Sequence, residues 1–199
     1  MRADLREWLR RASEDDSGFV PWRFELSFGL PSDRDADPAS QPAPVALDAG
    51  LLLRGSIDLV ERAENGRLRV TDHKTGKERF AEGKVIDGGR TLQPVLYALA
   101  VEKLFPGSPV DSGRLYYCTA AGGFAEHEVA LNDAARAAAD HMTRALQTAL
   151  DEPFLPAAPD EGACRWCDYR PVCGPYEELR VSRKHQPGLA ALSKLRELP

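Results

Sequence analysis

Three residues of this chain have the types and spacing of a metal-assisted, water-activating centre: Asp58, Asp72 and Lys74. Asp58 closes the apolar run "GSID". Thirteen residues separate it from Asp72, and Lys74 follows in "VTDHKTGK". Alternate residues of an extended strand share a face, so Leu68, Val70, Asp72 and Lys74 point one way, with Asp72 and Lys74 ~6.6 Å apart along the chain. Leu68 and Val70 head into a core. A carboxylate and an ammonium at the end of that face cost desolvation free energy unless they are paired or bound to a metal. The segment carrying Arg54, Ser56 and Asp58 is expected to be the antiparallel neighbour, joined through a turn at Asn65-Gly66, which brings Asp58 close to Asp72. Two carboxylates in one place repel, and a divalent cation relieves the repulsion. Hard oxygen donors suit Mg²⁺ or Mn²⁺. A lysine beside them can orient or activate a water and counter developing negative charge. The competing reading is a surface carboxylate and a solvent-exposed ion pair worth under ~1 kcal/mol.

The elements that must position these groups follow from periodicity. Residues 3–13 carry Leu5, Trp8, Leu9 and Ala12 at helical spacing. Residues 22–28 alternate strictly, Trp22, Phe24, Leu26 and Phe28 on one face and Arg23, Glu25 and Ser27 on the other. Residues 30–50, rich in Pro, Asp and Ala, read as a solvated loop. Residues 51–62 and 66–74 form the central strand pair. Residues 91–105 read as a helix, with Pro94 tolerable only in its first turn. Residues 113–120 and 124–131 form a second hairpin, which puts Cys118 in mid-strand. Residues 132–151 form a long helix capped by Asn132. A Pro-rich linker at 153–159 leads to the cysteine cluster, and a helical tail from Tyr176 is expected to break at Pro187-Gly188. The sum is an α/β fold with a central mixed sheet of about five strands flanked by helices.

Taken together, the motifs resemble those of the PD-(D/E)XK nuclease superfamily. "ID", thirteen residues, then "DHK" is similar to its defining motif, and "GSIDLV" with "VTDHKTGK" is especially similar to the RecB-like branch. Gln93 and Tyr97 in "QPVLY" are four residues apart on one helical face and match that branch's Q-x-x-x-Y motif; as ordinary helix positions they would be surface and core. "CRWCDYRPVC" resembles the cysteine-rich end of branch members that carry an iron–sulfur cluster, such as AddB-type helicase–nucleases and CRISPR-adaptation nucleases. The resemblance covers roughly residues 19–176. It implies a restriction-endonuclease-like core and a Mg²⁺- or Mn²⁺-dependent deoxyribonuclease, exonuclease rather than endonuclease, working in recombination and repair beside a helicase. It implies metal binding by Asp58, Asp72 and the His73 carbonyl, with Glu25 as a further candidate, and water positioning or charge stabilisation by Lys74. Gln93 and Tyr97 would hold the lysine or the DNA backbone. Relatives carry a further cysteine and a histidine or acidic helix upstream, whereas the first 18 residues here contain no Cys and no His. The expected layout is a nuclease domain over 1–176, including a cysteine-rich segment at 160–176, and a helical tail at 177–199, cut from a longer protein.

Composition limits the alternatives. The chain has 199 residues, 43% of them hydrophobic, and no run approaches the ~18 apolar residues of a membrane span. The opening "RADLREWLRRA" is charged and amphipathic, unlike a signal peptide, so a cytoplasmic protein is expected. The net charge of −5 gives no general affinity for nucleic acid, which leaves DNA binding to a local groove. Of the four cysteines, Cys164, Cys167 and Cys173 cluster, a spacing that favours a metal over disulfides. A [4Fe–4S] cluster needs four thiolates, for which Cys118 is the remaining candidate. Zinc, completed by His185 or Cys118, is the rival. His127 and His141 read as surface residues. Two further functions remain open at this point, a catalytically inactive DNA-binding or scaffold domain and a zinc-binding interaction module.

Overall fold

The structure, a computed structural model, describes residues 2–31, 36–48, 50–80, 83–152 and 156–199. Helix α1 (Arg2–Glu14) leads into β1 (Phe19–Phe28). Short strands β2 (Val45–Ala46) and β3 (Leu52–Leu53) pair with each other ahead of the hairpin of β4 (Gly55–Ala63) and β5 (Leu68–Lys74). Helix α2 (Gln93–Leu104) then carries the chain to β6 (Val110–Tyr117), β7 (Glu126–Ala130) and α3 (Asp133–Asp151). Short helices α4 (Arg170–Cys173) and α5 (Glu177–Arg180) precede α6 (Gln186–Arg196). The five long strands form one sheet in the order β1-β4-β5-β6-β7. β5 and β6 are parallel and the other pairs antiparallel. This is the expected α/β core with a five-stranded mixed sheet.

Local chemistry accounts for the joints. Gly66, at φ +83°, takes the left-handed position of the β4–β5 turn, and its N–H donates to the Ala63 carbonyl. A parallel neighbour needs a crossover connection. That crossover is α2, which Pro94 enters in the first turn and whose Val95, Ala98, Leu99 and Val101 bury against Leu68 and Val70 of the sheet. Asn132 caps α3 by accepting the Ala135 N–H at 3.1 Å.

The other side of the sheet holds charge. Glu61 of β4 is 4% exposed and lies between two buried arginines. It accepts from Arg69 at 2.9 and 2.8 Å, from Arg114 at 3.0 Å and from the Thr71 hydroxyl at 2.6 Å. Arg114 continues to Glu126 at 2.6 Å, and Arg69 reaches Asp15 at 3.3 Å. One carboxylate thereby ties β4, β5 and β6 together.

Several expectations change. Alternation along β1 fails: Phe24 is 57% exposed while Ser27 is buried. A bulge at Trp22, where register shifts between Pro21 and Arg23, and the left-handed φ of +50° at Glu25 rotate the strand between its two halves. Cys118 follows β6 rather than sitting within it. His127 is half-buried, 2.5 Å from Glu78 and 4.8 Å between ring centroids from Phe80. The tail breaks at Lys184-His185, and Pro187 starts α6 instead of stopping a helix. The 30–50 segment contains β2, with residues 32–35 and 49 outside the described residues. Of the 153–159 linker, residues 153–155 are likewise outside them. The tail packs back on the body: the Pro199 carbonyl accepts the Ile86 N–H at 2.8 Å and Leu198 accepts Gly88 N–H at 3.0 Å.

Burial raises the Glu61 carboxyl, but Arg69, Arg114 and Thr71 more than offset this and hold it below the ordinary value of 4.5. Its stabilising contribution is therefore complete above the unfolded-state value and is lost as pH falls through the lower folded-state value. Glu61→Ala strands two buried guanidinium groups and is expected to cost about 3–5 kcal/mol. Urea unfolding from neutral pH down through the carboxylate range checks this. The gap between wild type and variant should narrow on acidification, and a constant or absent gap would contradict it.

Candidate active site

The C-terminal end of β5 gathers the residues singled out by spacing. Leu59 pairs with Thr71 and Val60 with Val70; one further step of the same register sets Asp58 across from Asp72. Asp58 Oδ2 accepts the His73 N–H at 2.7 Å, which pins its carboxylate to the backbone just past Asp72. From the head of α2, Gln93 reaches both members of the β5 pair. Its Nε2 donates to Asp72 Oδ1 at 3.0 Å, and its Oε1 accepts from Lys74 Nζ at 2.7 Å. Lys74 Nζ also lies 2.5 Å from Asp72 Oδ2. Oδ1 thus faces the Gln93 amide and Oδ2 the Lys74 ammonium, so both oxygens of the buried carboxylate are held by the lysine and its glutamine bracket.

Electrostatics explain what this arrangement costs. Asp72 is 6% exposed. Burial pushes its carboxyl above the ordinary 3.8, Asp58 adds to the rise, and Lys74 opposes it without cancelling it. A buried carboxylate held above its ordinary range, with a second carboxylate near enough to raise it further, fits a hard divalent cation in the donor set. Asp58, Asp72 and the His73 carbonyl are the oxygen groups available for it. The His73 imidazole points the other way, as alternation requires, against Trp8 and Tyr116 at centroid distances of 5.8 and 6.0 Å. Burial lowers its pKa below the ordinary 6.5, against the opposing pull of Asp58, whose Oδ2 lies 3.8 Å from Nδ1.

The remaining candidates separate. Tyr97 lies one turn along α2 from Gln93 and packs against Phe28 and over Gly55 at the start of β4. No hydrogen bond joins its phenol to Asp72, Lys74 or Gln93 among the described residues. Glu25 is exposed at the β1 bend and lines, with Asp58 and His73, a cleft of about 510 Å³ under α1. Cys118 stands at the site itself: its N–H donates to the Lys74 carbonyl at 3.0 Å and its Sγ lies 3.5 Å from the same oxygen. Cys164 stands in the field of Cys167 and Cys173, whereas the charged neighbours of Cys118 are Asp58 and Asp4. Among the described residues no group of three or more His, Cys, Asp or Glu is arranged to hold a metal. His185 is exposed at the head of α6.

Gly113 is a positioning residue that spacing alone did not single out. A Cβ built on it would stand 1.9 Å from the Pro94 carbonyl oxygen. Only glycine lets the first turn of α2 press onto β6, and that turn carries Gln93. A glycine inside a strand often marks such a close backbone approach, so the signal was present in "DSGRLYY".

Residues 1–174 match the family model of the PD-(D/E)XK nuclease superfamily. Over 147 residues, 73% of the chain, the sequence is 32% identical to a protein of Myxococcus xanthus (strain DK1622) named CRISPR-associated exonuclease Cas4/endonuclease Cas1 fusion. The chain spans 25% of that relative's length. The matched family range contains the Asp58, Asp72, Lys74, Gln93 and Tyr97 positions and the three clustered cysteines.

Gly113→Ala should force α2 outward, costing about 1–3 kcal/mol from overpacking and pulling the Gln93 amide from Asp72 and Lys74. Chemical denaturation reads the first effect, and the side-chain amide signals of Gln93 read the second. A variant as stable as wild type with an unshifted Gln93 amide would contradict this role for Gly113.

Proposed function

The chain belongs to the PD-(D/E)XK nuclease superfamily, and we propose that it is a metal-dependent nuclease domain that hydrolyses phosphodiester bonds in DNA. One observation carries this reading: a buried Asp72 carboxylate, bracketed by Lys74 and Gln93, stays above its ordinary titration range because of burial and the neighbouring Asp58. In this reading Asp58, Asp72 and the His73 carbonyl would hold Mg²⁺ or Mn²⁺. When bound, such an ion acts as a Lewis acid and lowers the pKa of a bound water. Lys74, fixed by the Gln93 amide, orients the attacking water and offsets negative charge on the phosphorus-bound oxygens as the bond to the leaving oxygen breaks. Gln93 acts through Lys74 and Asp72. Tyr97, one turn further on, is assigned to the DNA backbone, and Glu25 is assigned as an additional acidic neighbour of the metal.

The finer assignments rest on narrower support. The RecB-like branch is supported by Gln93 and Tyr97 in the family spacing. Exonuclease action is supported by the exonuclease in the name of the Myxococcus relative. That relative is described as fused to an endonuclease, so an endonuclease partner joins the helicase of recombination and repair as a candidate. Cys164, Cys167 and Cys173, gathered in one short segment, are proposed ligands of an iron–sulfur cluster or zinc. Cys118, whose Sγ lies 3.5 Å from the Lys74 carbonyl oxygen, is kept as the candidate fourth thiolate, with His185 as the alternative donor for zinc.

The test is cleavage of labelled single- and double-stranded DNA with Mg²⁺ or Mn²⁺, wild type against Lys74→Ala. Loss of one fixed charge-stabilising group is expected to slow the reaction about 10²–10³-fold. Cleavage by both proteins alike would overturn the residue assignment. Absence of cleavage by wild type would favour the scaffold reading. Metal analysis of the same preparation separates iron from zinc, and neither metal would remove the cysteine assignment.

A further inference from the structure

Two clefts meet at His73, and their charges are opposite in character. The cleft under α1 brings together Asp15, Glu25, Asp58, Glu61 and Glu126, and its two arginines are already committed, Arg114 to Glu61 and Glu126 and Arg11 to Glu7. The second cleft, of about 600 Å³, opens on the other flank between the 73–79 segment and the 89–93 segment. Among the described residues it is lined by Lys74, Lys77, Arg79 and Arg90 and by no carboxylate. On a chain with a net charge of −5 this is a local concentration of positive charge, and it begins at Lys74.

The cations in it differ in availability. Arg90 is held by Asp160, from the cysteine-rich segment, and stands 3.8 Å from Asp87. Lys77 and Arg79 are exposed and make no ion pair among the described residues. Glu78 between them turns to His127 instead. The Arg79 N–H donates to the Tyr117 hydroxyl at 3.3 Å, which fixes the backbone of the 75–79 turn against β6. Two unneutralised cations on an anchored turn, next to the group assigned to the water, suit a chain of phosphates.

We propose that Lys77 and Arg79 bind the phosphates of the substrate strand adjoining the scissile bond, so that the strand leaves the active site through this basic cleft and not beneath α1. This rests on the nuclease reading and adds to it the path of the strand. Phosphate contacts of this kind position a strand without reading its sequence, so the affinity they give should depend strongly on salt and little on base identity.

The experiment is fluorescence anisotropy of a labelled oligothymidylate with the full chain in EDTA, titrated across a salt series. Lys77→Glu/Arg79→Glu is compared with Arg62→Glu/Arg67→Glu, an equal change of charge at the opposite end of the β4–β5 hairpin. Losing two phosphate contacts should reduce the salt slope of log K by about 1.4, at about 0.7 per contact for single strands. The cleft variant should bind at least about tenfold more weakly at low salt, while the hairpin variant keeps the wild-type slope. Equal weakening of both variants, an unchanged slope in the cleft variant, or no binding by wild type would each overturn the proposal. The nuclease reading is judged separately by Mn²⁺-dependent hydrolysis of bis(p-nitrophenyl) phosphate, an ester too short to reach Lys77. Retention of that activity in the cleft variant, with DNA affinity lost, is the expected pattern.

Discussion

The Glu61 carboxylate, shared between Arg69 and Arg114, is the interaction on which the rest of the fold depends. It joins three adjacent strands on the face of the sheet opposite the apolar core. A slip of one residue in β4 or β5 would carry every side chain to the wrong face, and it would also break this set of charge-assisted bonds. With the register held, Asp58 of β4 meets Asp72 of β5. The two faces divide the labour: one carries the buried ionic cluster, and the other carries the apolar core of Leu68, Val70, Val95 and Val101.

The active end of β5 is built against the preferences of its own residues. Asp72 is buried, sits above its ordinary titration range and has a like-charged neighbour in Asp58. Such a group destabilises the fold unless something binds it, which is the usual trade between a working site and stability. The structure limits that cost locally. Lys74 is two residues away on the same face, and Gln93 is brought in by the tight seat of α2 on Gly113. The polypeptide therefore supplies a partly neutralised anionic pocket rather than two free carboxylates.

Much of this was legible in the sequence, for identifiable reasons. Period-two alternation and the Asn65-Gly66 turn gave the β4–β5 hairpin, and helical spacing put Gln93 and Tyr97 on one face. The same alternation rule failed in β1, because a bulge and a left-handed Glu25 are set by pairing to β4 and leave no local signature. The ion cluster was illegible because Glu61, Arg69 and Arg114 look like outward-facing strand residues until the sheet is assembled and α1 covers them. Gly113 could have been read as a close-approach glycine, but its partner, the Pro94 carbonyl, lies nineteen residues away. Tyr97 matched a motif by spacing, yet its phenol packs on Gly55, one turn from the Asp72–Lys74–Gln93 group.

The claim on which the account turns is that Asp58 and Asp72 act together as one cation site. Titration of Mn²⁺ followed by electron paramagnetic resonance tests it most directly, on wild type, Asp58→Asn and Asp72→Asn. The account predicts saturable loss of the free-ion signal in the wild type and its disappearance in each single variant. Binding that survives in both variants, or that never occurs in the wild type, would contradict it.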